Sequence, residues 1–228
     1  MEAHTLTTEL QAALALHGLA LRGGFAPVPE DQLPTGRPVA SVWMVGVIGS
    51  AFWPHFKASA FYGDGRPDPL DRWSRAIGEE LATRFGGLAL FPFDGPPYHP
   101  FQRWADRCEP TQPSRMLLRI HPVHGLWHAY RFALALPAAA PHSAAAGTLA
   151  PDLCAGCSGQ PCLQACPVGA YTGEAFLLDA CASHLHSDRG SDCLQGGCRA
   201  RLACPVAPEL RYLPEHAAFH MQAFAGQH

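Results

Sequence analysis

Eight of the nine cysteines lie between residues 154 and 204, and this crowding constrains the chain more than any other feature of its sequence. The ninth, Cys108, stands apart from them. The N-terminus carries an acid, Glu2, and lacks the positively charged and apolar segments of a secretory signal. We therefore predict a cytoplasmic protein, in which reduced thiols bind metal rather than form disulfides.

The eight cysteines form two sets, and each set ends in Cys-Pro. The first has the spacing C-x2-C-x4-C-x3-C-P and the second has the spacing C-x11-C-x4-C-x5-C-P. Bacterial ferredoxins use C-x2-C-x2-C-x3-C-P, in which the fourth cysteine ligates the other cluster. The pattern therefore predicts two 4Fe-4S clusters with exchanged ligands. One would be held by Cys154, Cys157, Cys162 and Cys204, and the other by Cys166, Cys181, Cys193 and Cys198.

Zinc and a single cluster are the alternatives to this prediction. Residues 158–161 stand where the ferredoxin pattern has two residues, and the second set is spaced more loosely still. A structural zinc site typically has two C-x2-C pairs and no need of Cys-Pro ends, which favours clusters. Three arginines in the second set would offset the negative charge of a cluster, or else form ordinary solvated surface: Arg189, Arg199 and Arg201.

The first part of the chain, residues 1–136, predicts an α+β domain. Residues 40–48 are almost all apolar, many of them β-branched, which is typical of a strand covered on both faces. Asp68 and Pro69 predict the start of a helix, whose apolar residues follow helical spacing as far as Phe85.

The remaining boundaries follow from changes in composition. Residues 137–153 are rich in Ala and Pro and predict a linker. Residues 154–206 would form the cluster module. Residues 207–228 predict a C-terminal helix, over 214–225, that packs back on the body of the protein.

Charge and hydropathy exclude some classes of partner. Lys and Arg number 16 against 19 Asp and Glu, and charged residues are only 15% of the chain. This composition predicts no nucleic-acid partner. No apolar run approaches the ~18 residues that a membrane span needs, so we also predict a soluble protein without a membrane partner.

Residues 120–131 read Ile-His-Pro-Val-His-Gly-Leu-Trp-His-Ala-Tyr-Arg. They resemble the Ile-His-Pro-x-x-Gly-x-Trp-x-x-x-Arg segment of the cobalamin-processing CblC family. The resemblance implies a nitroreductase-like, CblC-like fold for the N-terminal domain and a bound corrinoid, with His121, Gly125 and Arg131 at the matching positions. Nitroreductase-like folds also hold flavin, which is the alternative cofactor that the resemblance allows.

The cysteine segment, with Cys-Pro-Val-Gly-Ala at 166–170, resembles the cluster domain of epoxyqueuosine reductases and reductive dehalogenases. Those enzymes join a cobalamin-binding domain to two 4Fe-4S clusters. The resemblance implies a C-terminal, ferredoxin-like two-cluster module that passes single electrons to a corrinoid, or through it to a substrate. No residue stands out as a proton donor, so no catalytic residue is predicted.

Two further functions remain open from the sequence. In the first, the chain is an electron carrier without enzymatic activity, and its N-terminal domain docks an electron-donor or electron-acceptor protein. In the second, it is a sensory module whose C-terminal region unfolds when oxygen destroys a cluster. Binding of a corrinoid, dependence on a partner protein and an oxygen-triggered change in assembly distinguish the three functions.

Overall fold

The computed structural model describes residues 3–34, 36–139 and 152–228. They fall into two compact units, which we call unit 1 and unit 2. Unit 1 comprises Met1–Pro110 and His128–Thr148, and unit 2 comprises Thr111–Trp127 and Leu149–His228.

The boundary between the units differs from the one expected at residue 136. Residues 111–127 belong to unit 2, whereas the sequence pattern grouped them with the N-terminal domain. Most of the predicted linker, 137–153, lies outside the described residues. The segments predicted as the cluster module and the C-terminal helix both belong to unit 2.

The described residues contain strands, α-helices and short 3-10 turns. The strands are β1 (Ala20–Phe25), β2 (Ser41–Ile48), β3 (Leu88–Leu90), β4 (Gln112–Pro113), β5 (Arg119–Ile120) and β6 (His128–Leu136). The helices are α1 (Ala3–Ala15), α2 (Trp53–Lys57), α3 (Pro69–Arg84), α4 (Phe101–Cys108), α5 (Pro161–Gln164), α6 (Leu178–Leu185), α7 (Ser191–Gly196), α8 (Arg199–Leu202) and α9 (Pro214–Ala225).

Unit 1 is built on a four-stranded antiparallel sheet in the order β1-β2-β6-β3. The first seven residues of β2 are buried, as expected for an apolar strand with a neighbour on each side and cover on both faces. The strand predicted over residues 40–48 is therefore confirmed. Helices beside an antiparallel sheet make unit 1 a mixed unit, in agreement with the predicted α+β class.

Helix α3 covers the sheet beside β6 and β3. Asp68 precedes it in a left-handed conformation, and Pro69 occupies the first turn, where a missing N–H costs nothing. Leu70, Trp73 and Ile77 lie on its buried face. The helix predicted from Asp68 to Phe85 is thus confirmed to within one residue at each end.

Helix α4 packs against β1 and β2, and its Cys108 is 2% exposed within an apolar core. Burial raises the pKa of the Cys108 thiol to about 12. The ninth cysteine therefore packs as a small buried apolar residue.

Unit 2 consists of short helices and a small β4–β5 hairpin. Its C-terminal helix α9 has the bounds predicted for it and packs against α7 within the unit. Trp127, Tyr212 and Ala217 form one buried apolar cluster beneath this helix. None of the helices in the described ranges has the length and hydropathy that crossing a bilayer requires.

Candidate metal centre

The first group of thiols joins both ends of the cysteine segment. Its members are Cys154, Cys157, Cys162 and Cys204. The pKa of Cys162 is raised first by burial and then by negative charge at the other three members. Burial and charge at Cys154 and Cys157 also raise the pKa of Cys204. A cysteine from the end of the segment therefore lies beside three from its start.

The second group is formed by the remaining thiols of the segment, Cys166, Cys181, Cys193 and Cys198. Burial, followed by charge at the other three members, raises the pKa of Cys181 to about 11. Charge at Cys166 also raises the pKa values of Cys193 and Cys198, after burial. The two groups correspond to an exchange of the last cysteine of each set, as in two-cluster ferredoxins.

The sulfur atoms of each group are not arranged as they are around a bound zinc ion. Among the described residues, no three of these sulfurs lie within 4.8 Å of one another. Tetrahedral zinc has Zn–S bonds of about 2.3 Å, which bring its thiolates to about 3.8 Å from one another. A single zinc ion would require the sulfurs of either group to move closer together than they lie here.

Backbone amides point at several of these sulfurs. The N–H of Ala170 donates to the sulfur of Cys166 at 3.2 Å. The other sulfurs that accept backbone N–H groups include Cys162 from Leu163, Cys198 from Ala200 and Arg201, and Cys204 from Val206. Amide hydrogen bonds to sulfur stabilise the thiolate form and are among the features that tune an iron–sulfur cluster.

The first loop obtains its shape from local turn residues. The carboxylate of Asp152 accepts the backbone N–H of Cys154 at 3.0 Å. Gln160 adopts a left-handed conformation, and Pro161 then begins α5, which carries Cys162. The longer spacing between Cys157 and Cys162 thus accommodates a turn and a helix start.

Residues 111–127 provide the apolar cover of the cysteine groups. Met116, Ile120 and Leu126 are at most 3% exposed and form one cluster with buried Cys204. Cys162, Cys166 and Cys198 pack against the same cluster. The sequence pattern did not identify this cover, because its apolar residues contact cysteines that follow much later in the chain.

His121 and Gly125 shape a tight loop in unit 2. Their backbones are paired by two hydrogen bonds of 2.9 and 2.8 Å. The Nδ1 atom of His121 accepts the N–H groups of Val123 and His124, at 3.0 and 3.2 Å, so its ring proton lies on Nε2 in the neutral form. Gly125 has a φ of 56°, a conformation that favours glycine.

Arg131 lies in unit 1, on β6, and does not share that loop. Its Nε donates to the hydroxyl of Ser74 at 3.0 Å, and a terminal nitrogen contacts the carboxylate of Asp71 at 2.5 Å. Both partners belong to α3, so Arg131 ties this helix to the sheet. The three residues that the CblC resemblance implies for a corrinoid thus each have a structural role within their own unit.

A buried charged network in unit 1 was not identified by sequence reasoning. Arg22 is 2% exposed, and its Nε donates to Glu109 at 2.7 Å. The hydroxyl of Tyr130 donates to the other oxygen of the same carboxylate at 2.6 Å. Burial, followed by the charge of Glu109, raises the pKa of this phenol well above its usual value. The residues of this charged network are far apart in sequence, so no local motif marks it.

Unit 1 also contains an open cavity of about 400 Å³, within the size range of small-molecule sites. Its lining includes Phe61, Trp73, His17, His55 and Glu80. Burial lowers the pKa of His17, and the negative charge of Glu80 partly offsets this shift. An aromatic wall with imidazole groups could hold a small planar molecule.

The chain matches no protein-family model and no curated protein. It is similar to three solved structures of epoxyqueuosine reductase, at 14% identity, with 95% of this chain and 71% of each other chain covered. One is a complex with an epoxyqueuosine-modified tRNA-Tyr stem loop (TM-score 0.49), one is selenomethionine-labelled (0.48), and one, from Bacillus subtilis, has its catalytic loop swung out of the active site (0.48). At these values the likeness assigns neither fold nor activity to the chain.

The prediction of no nucleic-acid partner was wrong. The first of these structures is an epoxyqueuosine reductase bound to an RNA stem loop. The formal net charge of −3 is a sum over the whole chain. A bound RNA, with its exposed bases, contacts only a local surface of a protein. The composition of the chain therefore does not exclude RNA as a partner. Epoxyqueuosine reductases are also the family that the cysteine segment resembles, and the resemblance to CblC stays a prediction.

Proposed function

We propose that the chain is an iron–sulfur redox protein whose unit 2 holds two 4Fe-4S clusters and transfers single electrons. The observation that carries this proposal is the packing of Cys162, Cys166, Cys198 and Cys204, from both ends of the segment, around one apolar cluster. The charge interactions among the thiols agree with two sets of four. The amide hydrogen bonds to the sulfurs are of the kind that stabilises a cluster.

The residues around the thiols have distinct roles in this function. A bound 4Fe-4S cluster supplies one-electron chemistry at a potential that its surroundings set. The apolar side chains of Met116, Ile120 and Leu126 cover Cys204 and the thiols that pack against their cluster. The amide of Ala170 stabilises negative charge on the sulfur of Cys166.

Single cysteine variants test the proposed division of ligands. In anaerobically reconstituted protein, Cys157→Ala should weaken one cluster and Cys193→Ala the other, so that the two variants lose different electron paramagnetic resonance (EPR) signals. Cys108→Ala, in unit 1, is the matched control and should lose neither signal. Loss of the same signal in both cluster variants would contradict the division.

The electron acceptor is a separate question. The structural roles of His121, Gly125 and Arg131 within their own units do not identify a corrinoid site, so we derive no step through a corrinoid. A corrinoid acceptor is therefore proposed on the resemblance of residues 120–131 alone. The second candidate is an electron carrier that serves a partner protein.

A titration distinguishes these acceptors. Reconstituted protein is reduced, freed of excess dithionite, and titrated anaerobically with hydroxocobalamin. A saturable shift of the cobalamin spectrum to a reduced form, matched by re-oxidation of the clusters, supports the corrinoid acceptor. Clusters that stay reduced in the presence of cobalamin favour the electron carrier, and the same titration with a flavin tests the alternative cofactor.

A further inference from the structure

The open cavity of unit 1 runs along one face of helix α3. Four residues of the helix line it, Trp73, Ala76, Ile77 and Glu80, and their spacing of three and four places them in one stripe. Trp73 and Ile77 are buried, whereas Ala76 and Glu80 are exposed. Because the side chain of Ala76 ends at its Cβ, the middle of the stripe stays open between the indole and the carboxylate.

The turn after helix α1 brings His17 to the same cavity. Gly18, the next residue, has a φ of 65°, and a side chain there would overlap the backbone carbonyl of Ala51, shortly before α2. This close approach of two backbones fixes the turn in place. The imidazole of His17 then lies roughly perpendicular to the indole of Trp73, with the ring centres 6.5 Å apart.

The polar groups of the cavity are mainly hydrogen-bond acceptors. Its titratable side chains are Glu80, His17 and His55, and neither Lys nor Arg is among the described residues that line it. Glu80 forms no ion pair in the described part of the chain. Burial lowers the pKa of His17, so its imidazole is neutral at pH 7.5 and offers one nitrogen as an acceptor.

Two classes of ligand fit this arrangement poorly. The ligand atoms of one bound metal ion, at about 2.0–2.2 Å from it, lie no more than about 4.4 Å from one another. The side-chain nitrogen and oxygen atoms of Glu80, His17 and His55 do not all lie within 4.8 Å of one another. An anion would be repelled by the carboxylate of Glu80, which no lysine or arginine of the lining offsets.

The remaining wall of the cavity is apolar. It includes the half-buried ring of Phe61 and the side chain of Ile77. The guanidinium of Arg72 lies 5.5 Å from the ring centre of Phe61, but two hydrogen bonds pair it with the carboxylate of Asp64. Its charge is therefore already balanced. An apolar wall beside unpaired acceptors suits a ligand with a ring at one end and a cationic donor at the other.

We propose that this cavity binds a small amine that carries an apolar ring. The ammonium group donates hydrogen bonds to the carboxylate of Glu80 and to the imidazole of His17, and the ring lies against Phe61 and Ile77. Hydrogen bonds between charged groups are the stronger kind, and burial of the ring adds a hydrophobic contribution. The site lies wholly within unit 1, and its test does not depend on the clusters of the proposed function.

Titrations of the full-length protein test this inference. The probe is 2-phenylethylamine, added at pH 7.5 and low ionic strength and followed by calorimetry. On the same ring, 2-phenylethanol carries a neutral group and 3-phenylpropanoate an anionic one. Glu80→Gln removes the charge, and Ala76→Leu fills the cavity without a change of charge. Glu79→Gln is the matched control, because Glu79 is exposed on the same helix, pairs with Arg75 and does not line the cavity.

The expected result is saturable binding of the amine, weakened about tenfold by Glu80→Gln and at least as much by Ala76→Leu. Glu79→Gln should leave the affinity within about twofold of that of the unchanged chain. The alcohol should bind more weakly than the amine, and the carboxylate should show no saturable binding. Added salt should weaken binding of the amine, and the amine should shift the imidazole nuclear magnetic resonance (NMR) signals of His17.

Other results would overturn the inference. Absence of saturable amine binding by the unchanged chain would show that the cavity is not such a site, and equal affinity for the alcohol would show that the charge of Glu80 is not used. Equal losses in Glu79→Gln and Glu80→Gln would reduce the effect to the general charge of the helix. Binding of the amine without a shift of the His17 signals would place it elsewhere on the protein.

Discussion

The backbone carbonyl of Val206 occupies the space that a side chain on Gly125 would need. Val206 follows Cys204 and Pro205, so this contact joins the loop of residues 120–127 to the end of the cysteine segment. Because both partners are backbone, neither can rotate away. Gly125 is thus required by close packing as well as by its positive φ.

Gly125→Ala should therefore destabilise unit 2. We expect a loss of about 2–4 kcal/mol in the free energy of unfolding, from the left-handed backbone and the overpacked contact together. Chemical denaturation measures this loss. Gly169→Ala is the control, because Gly169 also has positive φ but open space around it, and it should cost only about 1 kcal/mol. Equal losses in both variants would contradict the role of the Val206 contact.

Asp31 should be a main determinant of the stability of unit 1. It is 5% exposed and accepts hydrogen bonds from the indole of Trp104, at 2.8 Å, and from Arg107, at 2.8 and 3.0 Å. Asp31→Ala leaves the buried indole N–H unpaired and should cost about 2–4 kcal/mol. Asp64→Ala removes an exposed partner of Arg72 and should change the unfolding midpoint little.

The buried imidazole of His216 should make the protein less stable in acid. Burial, with charge at His220 and Arg201, lowers the pKa of His216 to about 3. Below pH 6.5 the unfolded chain binds a proton here that the folded chain does not, so stability falls as the pH drops from 6.5 towards 3. Between pH 6.5 and 5 the loss should be about 2 kcal/mol.

Comparison of two variants isolates this contribution. Folded apoprotein of His216→Gln should lose less stability between pH 6.5 and 5 than the unchanged chain, in denaturation experiments at both pH values. His186→Gln, at an exposed position, should behave like the unchanged chain. An unaltered pH dependence in His216→Gln would show that other groups are responsible.

Cys108 should resist alkylation while unit 1 is folded. Burial raises the pKa of its thiol to about 12, so almost none of the reactive thiolate is present at pH 8. With iodoacetamide, mass spectrometry of peptides should show modification of Cys108 only after denaturant is added. Rapid modification under native conditions would contradict its placement in the core.

The parts that were predictable from sequence are those encoded by local patterns. Strand β2 follows from a continuous apolar run, α3 from Asp68, Pro69 and helical spacing, and α9 from the resumption of a helical pattern after Pro214. The two proposed groups of thiols are the ones that the repeated Cys-Pro ends predict, because ferredoxin-type loops exchange that cysteine.

The parts that were missed depend on contacts between distant residues. Residues 111–127 belong to unit 2, where Gly125 contacts Val206, although the sequence pattern grouped them with the N-terminal domain. Arg131 binds Ser74 and Asp71 on α3, a partnership that its motif does not encode. Spacing along the chain cannot reveal such pairs without the fold.

Chemical analysis of anaerobically reconstituted protein tests the central claim most directly. Iron, acid-labile sulfide and zinc are determined per chain, after unbound metal has been removed. Two 4Fe-4S clusters predict about eight irons and an equal number of sulfides, with zinc near zero. Four irons and four sulfides would contradict the two-cluster claim, and zinc without sulfide would contradict the assignment of unit 2 as an iron–sulfur module.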